Sequence, residues 1–273
     1  MIDGFQDHLR GLGLSPRTAL TYFQTVRRAD GWCTERGVSL EHASAAVLVD
    51  YLDGGPRSWS SLKHVRYSLR YYWRYVGRVD PPLSVVRLPR RPRMRCRALS
   101  EIEARRLAKY AVAHAGTREA LAVLLMLYLG LRREEVASLR WDDFEAGLDR
   151  VTVTGKGGYT DSLPLHPVLR QVVAGRRSRG SYVFPGMRGA NGARRHVTPA
   201  TVWNWTSRVA AEAGVDGVTP HRLRHTCLAT ANDRTGDLRS VQTFARHSDP
   251  RTTAGYTRTT EESLLRVVAA IRY

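Results

Sequence analysis

The fold of the chain follows from one stretch, REALAVLLMLYLGLRREEV at residues 118–136. Its apolar run from Ala120 to Leu131 has 12 residues, the longest in the chain, against the ~20 that a membrane span needs. The pattern therefore predicts a helix buried at the centre of a domain, ending at Gly130. Arg132 follows this helix, with Glu135 three residues later on the same helical face. Such a pair is usually a modest surface ion pair, but Arg132 directly follows the most apolar helix, so we expect its head group to lie near the interior. A buried arginine needs an anion, which leaves two candidates open: Glu135 or the phosphate of a ligand.

The charge of the chain favours a nucleic-acid partner. Lysine and arginine number 43 against 25 aspartates and glutamates, a formal net charge of +18. The only lysines are Lys63, Lys109 and Lys156, so nearly all of this charge is arginine. An excess of this size lies on the surface and attracts a polyanion. The 42% of hydrophobic residues still suffices for one or two packed cores.

Several classes of protein are excluded by composition. Cys33, Cys96 and Cys227 are few and widely spaced, which argues against a disulfide framework and a cysteine-rich zinc site. The first ten residues lack an apolar segment behind a basic start, so they do not form a secretory signal. We expect a soluble, cytoplasmic protein associated with the nucleoid.

A change in composition divides the chain at residues 88–97. This segment contains two prolines and five arginines, and we interpret it as a basic linker. Residues 1–97 contain 17 basic and 8 acidic residues and residues 98–273 contain 26 and 17, so each part carries +9. The linker arginines suit phosphate contacts, and an ordinary solvated linker explains them equally well. The DNA-contact candidates here are Arg90, Arg91 and Arg93.

The N-terminal part is predicted to be helical. Ser15 and Pro16 form a helix start, and apolar residues at helical spacing continue to Trp32. A second helix is predicted from about Ser60 to Val76, with one apolar face and one basic ridge. Such a ridge is either a solvated face or a DNA-binding face. Its members are Lys63, Arg66, Arg70 and Arg74.

The C-terminal part mixes helices with a hairpin. Ser100 is predicted to cap a helix, residues 150–154 alternate like a strand, and Tyr159 to Leu165 returns as its partner across a glycine-rich turn. Residues 182–184 are predicted to add a short strand. Further helices are predicted from Thr198 and from Thr219-Pro220. The fold class is therefore mainly α with a small antiparallel β-sheet.

Three local features suggest chemistry. Lys156 at the hairpin tip can release a proton that arginine would hold, which suits a general acid, although a tip lysine is usually just exposed. His221 and Arg224 share a helical face in the first turn of a helix, where an anion is favoured. His225 lies one turn from His221, a spacing that also suits two zinc ligands, but the positive charges of the two arginines between them would repel a cation. His247 is followed nine residues later by a tyrosine in a polar, Gly- and Thr-rich segment.

In this order, Arg132, Lys156, His221-x-x-Arg224, His247 and Tyr256 resemble the tyrosine recombinase (phage integrase) family. The resemblance covers essentially the whole chain and implies a Xer-like or Cre-like arrangement of two domains. It implies a helical, SAM-like core-binding domain at 1–87, the linker at 88–97, and an α+β catalytic domain with a tail helix at 98–273. Because the core-binding pattern begins almost at Met1, we expect no separate arm-binding domain. One position departs from the family, which usually has Leu-Gly where Ala245-Arg246 stands.

The resemblance also implies an activity: site-specific DNA recombination or integration by a strand transferase. Tyr256 would attack phosphorus, Arg132 and Arg224 would hold the scissile phosphate, and Lys156 would protonate the leaving oxygen. The remaining implied roles are hydrogen bonds to the phosphate from His221 and His247 and orientation of Arg132 by Glu135. No metal, ATP or other cofactor is implied.

The implied partner is double-stranded DNA carrying a specific site, with no membrane involved. Four protomers would exchange strands through a Holliday junction, with or without a second recombinase or an accessory factor. The apolar tail 264–271 would dock on a neighbouring protomer, a reading favoured slightly over packing on its own domain. Two rivals remain: a type IB topoisomerase-like enzyme and a catalytically impaired DNA-binding paralogue.

Overall fold

The computed structural model describes residues 2, 4–55, 58–79, 81–85, 87–88, 98–155, 158–174, 176, 181–188, 192, 194–246 and 260–273. The fold is mainly helical with two small antiparallel strand pairs, which confirms the predicted class. The chain divides into two compact units, Met1–Met94 and Arg95–Tyr273. Their boundary falls inside residues 88–97, most of which lie outside the described residues. Within the described residues, no helix is both long and apolar enough to cross a membrane.

The first unit is a small helical bundle. The Ser15 hydroxyl accepts a hydrogen bond from the Thr18 amide at 3.2 Å, which is the cap that the sequence predicts for the second helix. The Trp73 indole donates to the Leu40 carbonyl at 3.1 Å inside the core. The helices are α1 Phe5–Gly11, α2 Pro16–Thr34, α3 Ala45–Asp53 and α4 Trp59–Tyr75, with short 3-10 turns at Leu40–His42 and Leu83–Val85.

Helix α4 has the two faces that the sequence predicts. Val65, Leu69 and Trp73 are buried in the core of the unit. The Lys63 ammonium lies over the Trp59 ring, 4.9 Å from its centroid. The exposed side chains on the basic face, separated by one helical turn, are Arg66, Arg70 and Arg74.

The second unit contains the remaining elements. Its helices are α5 Glu101–Ala113, α6 Arg118–Leu129, α7 Arg133–Ser138, α8 Pro167–Val173, α9 Pro199–Glu212, α10 Pro220–Thr235, α11 Leu238–Phe244 and α12 Glu261–Ala270. Its strands are β1 Arg150–Thr154 and β2 Thr160–Pro164, which pair with each other, and β3 Pro185–Arg188 and β4 Arg194–His196, which form the second pair. The predicted caps at Ser100 and Thr219 accept the expected backbone hydrogen bonds, and the helix predicted from Thr198 is capped by the side chain of that residue.

Helix α6 lies at the centre of this unit. Every residue from Ala120 to Leu129 is buried, as the apolar run predicts, and α5, α9 and α10 pack around it. The helix ends at Gly130, whose φ of +58° is left-handed and favours glycine. This ending turns the chain sharply and places Arg132 at the surface of the core.

The short strand predicted at residues 182–184 is wrong in its bounds. Tyr182 forms an isolated bridge with Arg140, in the turn after α7, and the pairing does not extend into a strand. Val183 and Phe184 are buried, which explains why their apolar pattern resembles a strand. The regular strand, β3, begins at Pro185.

In the single chain, the tail helix α12 packs on its own unit, and its docking on a neighbouring protomer stays a prediction. Val267, Val268 and Ile271 are buried in the same core as α6. The Tyr273 hydroxyl donates to the Leu127 carbonyl at 3.3 Å. Part of the apolar surface of the tail is therefore covered within the single chain, while Leu265 remains 48% exposed.

Candidate active site

Arg132 and Glu135 form a short-range ion pair at the start of α7. Arg132 precedes the helix, and Glu135 reaches back to it from the first turn. One carboxylate oxygen of Glu135 accepts from the Arg132 backbone amide at 2.7 Å, and the other accepts from Arg132 Nη1 at 2.8 Å. Of the two anions that the sequence left open for Arg132, the structure shows Glu135. The Arg132 side chain is still 36% exposed, so it remains accessible to a ligand.

Arg224 approaches the same place from α10. Its side chain is buried, and its two Nη atoms donate to the carbonyls of Gly130 and Ala245. Burial, and after it the positive charges of Arg132 and Arg246, lower the pKa of Arg224 to about 10. The guanidinium stays protonated at neutral pH, because this pKa is still well above 7.

Arg246 is a third cation at this site. Its Nη2 donates to Glu135 at 2.8 Å, and its side chain is only 4% exposed. Its own carbonyl accepts from Arg132 Nη2 at 3.4 Å. The φ of Arg246 is +52°, in the left-handed region, which costs a non-glycine residue about 1–2 kcal/mol. Arg246 therefore occupies a glycine-type turn while its side chain points into the protein.

The carboxylate of Glu135 is buried at 4% exposure yet remains ionised. Burial by itself would raise the pKa of Glu135, but the charge of Arg246 and the hydrogen bonds from Arg132 outweigh burial and hold that pKa below its usual value. We call Arg132, Glu135, Arg224 and Arg246 the arginine cluster. It joins three parts of the chain: the start of α7, the first half of α10 and the turn after α11.

Two further features border the arginine cluster. His221 is exposed in the first turn of α10, one helical turn before Arg224. A helix N-terminus presents free backbone amides and a partial positive charge, which favour an anion. At the end of β1, a Cβ atom placed on Gly155 would lie 4.0 Å from a Glu135 oxygen. The hairpin therefore reaches the cluster at the residue before Lys156.

The structure thus brings together Arg132, Glu135 and Arg224, with His221 one turn away. Sequence reasoning recognised Arg246 only as a missing glycine and missed its contact with Glu135. The two residues are 111 positions apart, and no local pattern connects them. The other predicted site residues lie outside the described residues: Arg90, Arg91, Arg93, Lys156, His247 and Tyr256.

Comparisons with known proteins identify the family of the chain. The model of the phage integrase family matches residues 97–263. The tyrosine recombinase XerA of Thermococcus kodakarensis is 30% identical over 269 residues, which cover 97% of this chain and 92% of the relative. The tyrosine recombinase XerC of Xanthomonas campestris pv. campestris is 30% identical over 272 residues, covering 94% and 83%.

Solved structures share the fold. The integrase of mycobacterium phage Brujita is 27% identical, with a TM-score of 0.55 over 100% of this chain and 92% of that one. A lambda integrase dimer bound to a COC′ core site has a TM-score of 0.67 at 17% identity, and the match covers 95% of this chain and 97% of that one. The fold is that of the tyrosine recombinases, a class of DNA strand transferases. The chain belongs to the phage integrase family, whose model spans most of its second unit.

Proposed function

We propose that this protein is a site-specific DNA recombinase that cleaves and rejoins DNA through a 3′-phosphotyrosyl intermediate, with Tyr256 as the nucleophile. The observation that carries the proposal is that Arg132 and Arg224 lie close enough to interact electrostatically, with Glu135 between the charges, in a member of the phage integrase family. Guanidinium groups fixed beside one another bind the non-bridging oxygens of a phosphate diester. The core-binding role belongs to residues 1–87 and the catalytic role to residues 98–273.

In the proposed reaction, the Tyr256 oxygen attacks phosphorus while the bond from phosphorus to the 5′-oxygen breaks. Arg132 and Arg224, with hydrogen bonds from His221 and His247, stabilise the negative charge that develops on the pentavalent transition state. In this proposal His221 takes the phenol proton, and Lys156 supplies the proton to the leaving 5′-oxygen. One phosphodiester bond is exchanged for another, so the reaction needs no ATP. The position of Gly155 beside Glu135 supports the role of Lys156.

The proposed partner is double-stranded DNA with a specific recombination site. The net charge of +18 and the exposed Arg66, Arg70 and Arg74 on α4 support contacts with the DNA backbone. Lambda integrase, which shares the fold, has been solved as a dimer on a core site and as a tetramer on a Holliday junction. We propose by analogy a homotetramer on paired sites, acting in the cytoplasm at the nucleoid.

A covalent-trapping experiment tests the activity and finds the substrate. The full-length chain is incubated with a library of nicked duplexes whose core sequence is randomised, so that cleavage near the nick releases a short fragment and traps the enzyme. Complexes that survive SDS are recovered, and their DNA is sequenced. We expect adducts on 3′ ends, enriched for one core sequence, absent for Tyr256→Phe and unaffected by EDTA.

Other results would contradict the proposal in distinguishable ways. Adducts formed by Tyr256→Phe would show that another residue is the nucleophile. Adducts without sequence preference, together with relaxation of supercoiled plasmid and no recombinant products, would indicate the topoisomerase alternative. Binding to the library without any adduct would indicate an impaired DNA-binding paralogue.

A further inference from the structure

The turn after α11 contains a residue that its backbone does not favour. Arg246 has a φ of +52°, a conformation in which glycine is preferred and where the family usually has glycine. A side chain that was merely tolerated at such a turn would extend into solvent. That of Arg246 is 4% exposed, and its Nη2 donates to the equally buried carboxylate of Glu135 at 2.8 Å.

The contact bridges two segments that the proposed reaction requires together. Glu135 also accepts from the backbone and side chain of Arg132, the residue that would hold the phosphate. Arg246 directly precedes His247, which would donate a hydrogen bond to the phosphate in the proposed reaction. A backbone contact joins the same two segments, because the Arg246 carbonyl accepts a hydrogen bond from Arg132 Nη2.

We propose that Arg246 is a positioning residue of this enzyme: it holds Glu135 from the side of the turn after α11, so that the carboxylate orients Arg132 for the phosphate. The inference rests on the proposed function and adds a residue to it. In this chain the constraint on the turn comes from a buried charge, where a glycine would provide only a permissive backbone. The role requires the positive charge at residue 246 and the negative charge at residue 135.

Three substitutions separate this role from a purely structural one. Arg246→Gly removes both the charge and the strain of the left-handed backbone, and Arg246→Asn removes the charge with a residue that tolerates this conformation. Arg246→Lys retains both the strain and the charge. The rate of adduct formation is measured in single turnover on the duplex recovered by covalent trapping, and Kd is measured separately on the same duplex. We expect the Gly and Asn variants to lose at least tenfold in rate with Kd within threefold, and the Lys variant to stay within about threefold of the wild type. A Gly variant as fast as the wild type or faster would overturn the proposal, because only the turn would then matter.

A double-mutant cycle tests whether Arg246 acts through Glu135. In a Glu135→Gln background, Arg246→Gly should change the rate less than threefold, since the partner is already neutral. Equal losses in both backgrounds would overturn the proposed route through Glu135.

The contact can also be tested without DNA, which separates it from the proposed function. The Tm of the full chain is measured for the four proteins of the same cycle. Arg246→Gly should raise the Tm more, or lower it less, in the Glu135→Gln background, where the buried guanidinium has lost its counter-charge. Equal shifts in Tm would show that the two side chains are not coupled. If the wild type forms no adduct with any duplex, the proposed function fails and with it the catalytic role of Arg246, whatever the Tm cycle shows.

Discussion

Replacing Arg224 by glutamine should nearly abolish DNA cleavage and leave the fold about as stable as before. Arg224 is buried, and its pKa falls from 12.5 to about 10, chiefly because of burial. A difference of this size corresponds to about 3 kcal/mol of unfavourable free energy for the charged form in the folded protein. At pH 7 the guanidinium is charged in both the folded and the unfolded chain, so the full cost is present. It would be relieved only as the pH rises through about 10.

Glutamine removes this cost and also removes hydrogen bonds. The carbonyls of Gly130 and Ala245 would each lose a charged donor, which costs about 1–3 kcal/mol per group, and the shorter amide can replace at most one donor. The two effects nearly cancel, so we expect the free energy of unfolding to change by less than about 2 kcal/mol. Cleavage should fall by about 10²–10³-fold, as for other donors to a developing anion.

The assay compares Arg224→Gln with Arg222→Gln on the same helix. Arg222 pairs with Glu103 at 3.6 Å, away from the arginine cluster. The control should keep its rate of adduct formation within about threefold and lose about 1 kcal/mol or less of stability. Urea denaturation gives the free energies of unfolding, and single-turnover trapping gives the rates. An Arg224→Gln protein that cleaves within tenfold of the wild type, or that loses more than 4 kcal/mol, would refute this reasoning.

Three further predictions concern glycine, histidine and surface arginine. Gly130→Ala and Gly236→Ala should each lower the free energy of unfolding by about 1–2 kcal/mol, since both glycines have a left-handed backbone. Only Gly130→Ala should slow adduct formation, because the Gly130 carbonyl accepts a hydrogen bond from Arg224. Equal rates of adduct formation in the two variants would contradict this prediction. Burial lowers the pKa of His166 from 6.5 to about 4. Below about pH 6.5 the unfolded chain therefore binds a proton at His166 that the folded chain does not bind, and the free energy of unfolding falls by about 2 kcal/mol from pH 7 to pH 5. His166→Asn, which can keep the helix cap, should remove that part of the slope in urea denaturation at the two pH values. Replacing Arg66 and Arg70 by alanine should reduce the slope of log Kd against log salt concentration by about 2, and an unchanged slope would exclude them from the DNA contacts.

The parts of the fold that could be predicted are those with a strong local pattern. The uninterrupted apolar run of α6 and the glycine that ends it indicate a buried helix without further context. The Arg132–Glu135 pair was predictable for the same reason, because its members are three residues apart. Helix α8, at Pro167–Val173, is short and follows a strand closely, so its period is too brief to recognise.

The candidate site divides in the same way. Arg132 and Arg224 could be identified because each belongs to a short motif whose order along the chain is recognisable. The contact of Arg246 with Glu135 could not, because it depends on how the turn after α11 packs against α7, and residues 111 positions apart share no local pattern. The packing of the tail was equally hidden, since an apolar helix face does not reveal whether its own domain or a neighbour covers it.

The arginine cluster has a consequence for charge balance. Arg132 and Arg246 both bind the carboxylate of Glu135, and Arg224 lies close enough to interact with all three charges, so these four side chains carry a net charge of +2. A phosphate diester brings one negative charge, and the pentavalent species formed by an attacking phenolate bears two. The charge of the cluster is therefore neutralised by the transition state and not by the bound substrate. The cluster then binds the transition state more strongly than the substrate, and this difference in binding accelerates a reaction. A glycine at residue 246 would leave the cluster at +1, matched to the ground state.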